Sequence, residues 1–214
     1  MIFEGLYSDN LHIWFKSLVE AKIEYGDGAD KILPIILRDL LLAKCEANRS
    51  EGKKILNDFL SNKYLFTIFR RLVLLCIDKY WNYYADFLDK FLKLIPSILD
   101  EPELEIELQD IFRHHNKEFN DCIKSMIKEY INDVPLFYTA RGEKDSAYWK
   151  YIWLSPLRDN PDFSPLYEKV KKIYNPQDDR PLLNPDGLLF KEVLLDQYLL
   201  SLLKKYYKNP LANW

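Results

Sequence analysis

The sequence predicts an all-α protein: an irregular stack of antiparallel helix pairs, an α-solenoid, with a C-terminal capping helix. An apolar skeleton appears three times, its members fall at helical spacing, and only 6 glycines in 214 residues leave little material for hairpin turns. With Leu33, Leu65 and Leu104 aligned, the copies begin 32 and 39 residues apart and eight positions are apolar in each. The first copy holds Leu33, Leu37, Leu40, Leu41, Ile55, Leu56, Phe59 and Leu60. The second holds Leu65, Phe69, Leu72, Val73, Phe87, Leu88, Phe91 and Leu92, and the third Leu104, Leu108, Ile111, Phe112, Met126, Ile127, Tyr130 and Ile131. Periods of this length built from helix pairs imply stacking, because one pair cannot bury its own apolar face.

Three regions result: an N-terminal helix and turn (1–29), three helix-pair repeats (30–132), and C-terminal helices (133–214) with a proline-rich linker at 175–187. In the first region Leu11, Trp14, Phe15, Leu18 and Ile23 approach helical spacing, and Gly26-Asp27-Gly28 ends the helix. The first repeat opens at Asp30, a candidate N-cap, with Pro34 expected in the first turn. A polar loop is expected from Asn48 to Gly52. In the second repeat Tyr80-Trp81-Asn82-Tyr83-Tyr84 marks a corner between helices, and Pro96 ends or kinks the pattern. The third has carboxylates at its helix start, histidines at its end, and Asn120 as the next N-cap.

Beyond residue 132 the pattern changes. Asp133-Val134-Pro135 and Thr139 to Ser146 form a break, followed by a short aromatic helix over 148–154 and another over 163–174. Residues 188–207 carry leucines at near-helical spacing and read as the cap of the stack.

Hydrophobic residues make up 48% of the chain and charged residues 29%, an ordinary globular composition. The net charge of −3 gives no global attraction for nucleic acid or anionic lipid. Three widely spaced cysteines, Cys45, Cys76 and Cys122, each in or beside a helical apolar stretch, fit buried thiols in a reducing, cytoplasmic setting. No leader is evident at the N-terminus, and the wholly apolar run in the central helix, Leu72 to Ile77, is far short of a membrane span. A phosphate-cradling glycine loop is absent, so no catalytic residue, resident metal or cofactor is expected, and the chain reads as no enzyme.

Candidate binding residues are the large aromatics Tyr83, Tyr84, Trp149, Tyr151 and Trp153, since rigid aromatics dominate protein-binding hot spots. Arg70 and Arg71 offer anion contacts, or cover helix ridges while pairing with Asp39 or Asp110. A nucleic-acid reading would join them with Lys171, Lys172, Lys204 and Lys205. For metal the best grouping is Asp110, His114 and Glu118, four residues apart on one helical face. Cys122 near His114 is a weaker nucleophile candidate.

The segment RDLLLAKCEANRSEGKKILNDFLSNKYLFTIFRRLVLLCIDKYW resembles the irregular, HEAT-like helical repeats of large bacterial STAND-type NTPases of anti-phage defence. The later YWKYIWLSPLRD and PLYEKVKKIY, the proline-rich linker and the leucine-rich helix look like the same arm farther along. The resemblance spans most of residues 30–205 and implies a sensor arm that recognises a foreign protein. The family's phosphate loop and effector have no counterpart here, so none of its catalytic residues carries over.

Overall fold

The computed structural model describes residues 29–61, 67–94 and 98–175, and every regular element among them is helical. Among these residues ten α-helices succeed one another: α1 (Ala29–Ala47), α2 (Arg49–Phe59), α3 (Thr67–Lys79), α4 (Trp81–Tyr84), α5 (Asp86–Leu94), α6 (Glu105–His115), α7 (Asp121–Asn132), α8 (Leu136–Thr139), α9 (Glu143–Leu154) and α10 (Ser164–Tyr174). Short 3-10 turns join some of them. By contact the chain divides into two compact units, Met1–Ile173 and Tyr174–Trp214; helices α1 to α9 and all but the last residue of α10 lie in the first. The expected helices over 11–25 and 188–207, the break at Pro96 and the linker 175–187 lie in or run into residues outside those described.

The local signals act where their chemistry places them. Asn48 and Asn120 cap α2 and α7, each side-chain oxygen accepting a backbone N–H three residues on (Glu51 N at 3.1 Å, Ile123 N at 2.9 Å). Gly142, at φ 116°, takes a backbone conformation that side chains resist, and α9 starts directly after it. That helix therefore begins five residues before the expected 148. Helix α8 fills part of the expected break.

Two expectations about the first repeat are corrected. The polar segment Asn48 to Gly52 is not a loop, because Asn48 alone separates α1 from α2. Gly52 lies inside α2 and is buried, and a Cβ there would sit 2.3 Å from the Tyr84 hydroxyl and 3.1 Å from Cys45 Cα. Its role is close approach of helices, not chain reversal. Helix α1 also starts at Ala29, so Pro34 sits inside it, beyond its first turn.

The shared skeleton supplies much of the core. In the second and third copies Leu72, Val73, Phe87, Leu88, Phe91, Leu92, Leu104, Leu108, Ile111, Phe112, Ile127 and Ile131 are buried, Phe69, Met126 and Tyr130 are half-buried, and Leu65 lies outside the described residues. The first copy departs from the pattern: Leu41, Leu56 and Phe59 are buried, but Leu33 is 63% and Leu40 65% exposed. These two lie seven residues apart on one stripe with Ile36, about 120° round the helix from the stripe of Leu41 and Cys45 that faces the interior.

Helix α3 is the hub, packing on α1, α2, α5 and most extensively on α6, while α7 packs on α5 and α9. Arg71 pairs with Glu107, and Asp78 with His114, each partner 36 residues on. A constant offset along both helices means that α3 and α6 run in the same direction. Lys53 with Asp86 and Asn57 with Lys90, each 33 apart, set the same relation between α2 and α5.

Candidate functional site

Because α3 and α6 run parallel, their C-terminal ends meet at one edge of the molecule. Each end exposes carbonyls without intrahelical partners and carries partial negative charge. Asp78, in the last turn of α3, adds a carboxylate where a helix least favours one. His114 and His115 close α6 and answer it. Asp78 Oδ1 lies 3.0 Å from His114 Nδ1 and 2.9 Å from His115 Nε2, and His115 Nε2 is also 3.1 Å from the Asp78 carbonyl oxygen. A carbonyl oxygen only accepts, so His115 Nε2 carries the proton in this arrangement.

The ring of His115 is held from both sides. Trp81 stacks on it at 4.3 Å between centroids and 5° between planes, and Glu118 Oε1 lies 3.7 Å from its Nδ1. The short helix α4 presents Trp81 here because the chain turns immediately after Lys79, and Phe119 packs on Trp81 from the other repeat. Asp78, Tyr80, Trp81, Tyr83, His115 and Glu118 line an open cavity of about 260 Å³.

The expected metal grouping is thus rearranged. Asp110 turns to Arg113, 2.5 Å away, and leaves the site. Helix α6 ends at His115, and the 3-10 turn Asn116–Glu118 carries Glu118 round to His115 instead of His114. Asp78 enters from the neighbouring helix, and a sequence spacing rule cannot reveal a partner 36 residues away. One signal for it existed: an acidic residue in the last turn of an apolar helix stands against the dipole and calls for a cationic or hydrogen-bonding partner.

The candidate anchors separate sharply. Tyr84, Trp149 and Trp153 are buried, which corrects them from surface residues to core. Tyr84 donates to the Cys45 carbonyl at 3.0 Å, and burial pushes its hydroxyl pKa well up. Trp153 packs edge-on against Phe112, and Trp149 lies against Tyr138. Tyr151 is half-buried and stacks on Tyr167. Tyr83 is exposed, with the Arg49 guanidinium 3.4 Å above its ring centre. Tyr80, its neighbour, reaches Leu42 O and Glu46, and burial first and the Glu46 charge second push its hydroxyl up to about 12.

Arg71 is fully buried and forks onto Glu107, so it is unable to meet a phosphate; the partner differs from both expected carboxylates. Arg70 is half-buried, and Lys171 and Lys172 are exposed on α10; Lys204 and Lys205 lie outside the described residues. Cys122 is exposed, not buried as expected, but its thiol donates to Asp89 at 3.3 Å, and that bond raises its pKa, opposite to what a nucleophile needs. Cys45 and Cys76 are buried with their sulfurs 3.9 Å apart.

No helix among the described residues is long and apolar enough to cross a membrane. No protein-family model matches the chain, and comparisons with curated proteins and with solved structures give no significant match. The reading of its role therefore rests on its own residues.

Proposed function

We propose that the chain is a non-catalytic recognition scaffold, an irregular solenoid of antiparallel helix pairs whose partner is a protein. One observation carries this reading. The bonds Leu42–Tyr80, Cys45–Tyr84, Lys53–Asp86, Asn57–Lys90, Arg71–Glu107, Asp78–His115 and Leu92–Tyr130 each join residues 33 to 39 apart. That interval falls between the 32- and 39-residue offsets of the apolar skeleton, within about two helical turns of each. Each of these bonds therefore reaches one copy ahead or behind, the contact pattern of a stacked array.

A stacked array presents long rigid surface, and rigid surface loses little entropy on binding. The exposed Tyr83 under Arg49 has the character of a hot-spot anchor, an aromatic pre-ordered by a cation. The buried Arg71 and the raised thiol pKa of Cys122 favour a binding role over nucleic-acid contact or thiol catalysis. Descent from the sensor arms of STAND-type defence NTPases belongs to the same reading, since such an arm works by recognition.

Affinity capture with the full chain as bait, from host cells with and without phage infection, tests it. A specific protein retained by the wild type and lost with Tyr83→Ala supports the scaffold reading. A salt-sensitive gel shift with nucleic acid, and no protein retained, would overturn it.

A further inference from the structure

We propose that Asp78, His114 and His115 form a binding site for one divalent transition-metal ion of the zinc class, at the edge where α3 and α6 end. The three ligand atoms lie within 4.8 Å of one another. Two of the separations, 3.0 Å and 2.9 Å from Asp78 Oδ1 to the ring nitrogens, match the geometry of a shared ion. With bonds of about 2.1 Å, ligands of one ion stand about 3.0 Å apart at right angles and about 3.4 Å apart at tetrahedral angles, so these two separations need to change by no more than about half an ångström. Two imidazoles and one carboxylate on one side of an ion leave its other positions open.

Three further features favour a cation here. Two parallel helices bring their negative ends together beside Asp78, so the field attracts positive charge. His115 is pre-oriented: Trp81 fixes the plane of its ring, and Glu118 faces Nδ1, the nitrogen turned away from Asp78. At 3.7 Å that carboxylate is beyond hydrogen-bond reach but close enough to favour the proton on Nδ1, which leaves Nε2 for the ion. His114 is 51% exposed, giving an entry path from solvent, and the adjoining cavity leaves room for water or a partner's side chain at the open positions. Binding replaces the hydrogen bonds from both rings to Asp78; in each neutral ring the proton leaves the ligating nitrogen and, by exchange with solvent, ends on the other ring nitrogen, so both imidazoles bind uncharged.

Calorimetric titration of the full chain, purified without a polyhistidine tag and stripped with chelator, with zinc chloride tests the site. One ion binds per chain, and affinity falls at least about tenfold in His114→Ala and in Asp78→Asn. Zinc also raises the Tm of the wild type and leaves that of His114→Ala unmoved. His114 is half-exposed, so its alanine variant keeps the fold, which an unchanged metal-free melt verifies. Failure of zinc and cobalt to bind the wild type, or undiminished binding in the folded His114→Ala variant, overturns the assignment.

Discussion

Arg71 and Glu107, buried and 36 residues apart, meet through two hydrogen bonds, Nε to Oε2 at 3.1 Å and Nη2 to Oε1 at 2.7 Å. The fork satisfies both charges where water does not reach, and it sets the register of α3 on α6 seven residues before Asp78 meets His114. A buried ion pair gains its attraction at the cost of desolvating two charges, so its removal in halves differs from its removal whole. Arg71→Met or Glu107→Leu alone leaves one buried charge unpaired and should cost about 3–5 kcal/mol. The double variant Arg71→Met/Glu107→Leu should recover most of that loss. Urea denaturation of the four proteins measures the coupling, and equal damage in the single and double variants would show that the pair does not act as a unit.

Gly52 supplies a second test, because its lack of a side chain lets Tyr84 and Cys45 close over α2. Tyr84 is a rigid, fully buried ring and is unable to swing away. Gly52→Ala should therefore destabilise the protein by about 1–3 kcal/mol, although alanine is the better helix former. In a Tyr84→Phe background the same change should cost less, since the nearest obstructing atom is gone. Thermal melts of the two backgrounds report the difference.

The thiols should react in a fixed order. Cys122 is exposed, whereas Cys45 and Cys76 are buried. A thiol reagent should therefore modify one group per native chain and the other two only on unfolding. The bond to Asp89 raises the Cys122 pKa and keeps the reactive thiolate scarce at neutral pH. Asp89→Asn removes that charge and should speed labelling of Cys122, read by mass spectrometry over time. An unchanged rate would mean that Asp89 does not govern the thiol.

Acid should weaken the fold in part through two aspartates. The Lys93 ammonium, and after it the Cys122 thiol, hold the Asp89 carboxyl below its usual range, and Lys124 does the same for Asp162. A carboxylate with a depressed folded pKa contributes its stability above the unfolded value of about 3.9 and loses it as pH falls through the folded value. Tm should therefore drop on acidification below about pH 4, and Asp162→Asn should flatten part of that fall. Because both pairs face solvent, added salt should shrink the effect.

The corner site shows how legibility ended. Alignment of the repeats sets Leu72 against Ile111, 39 residues on, whereas the polar partners across α3 and α6 stand 36 apart. The difference of three residues is close to one helical turn. A slide of that size keeps the apolar stripes in contact but changes every polar neighbour. It brought Asp78 to the histidines and Glu107 to Arg71, and it left Asp110 to Arg113.

The sequence by itself determined that the described chain is helical, where α7 is capped, and most of the leucines and phenylalanines of the second and third copies that go inside. Periodicity and capping act within a few residues, so they are written along the chain. Tertiary structure alone decided that Tyr84, Trp149 and Trp153 belong to the core while Tyr83 does not, and that Leu33 and Leu40 face outward. It also chose the partners of Arg71, His114 and Glu118. Those outcomes depend on how far one helix slides along another and on which elements cover each face, and neither is set by the residues of a single helix.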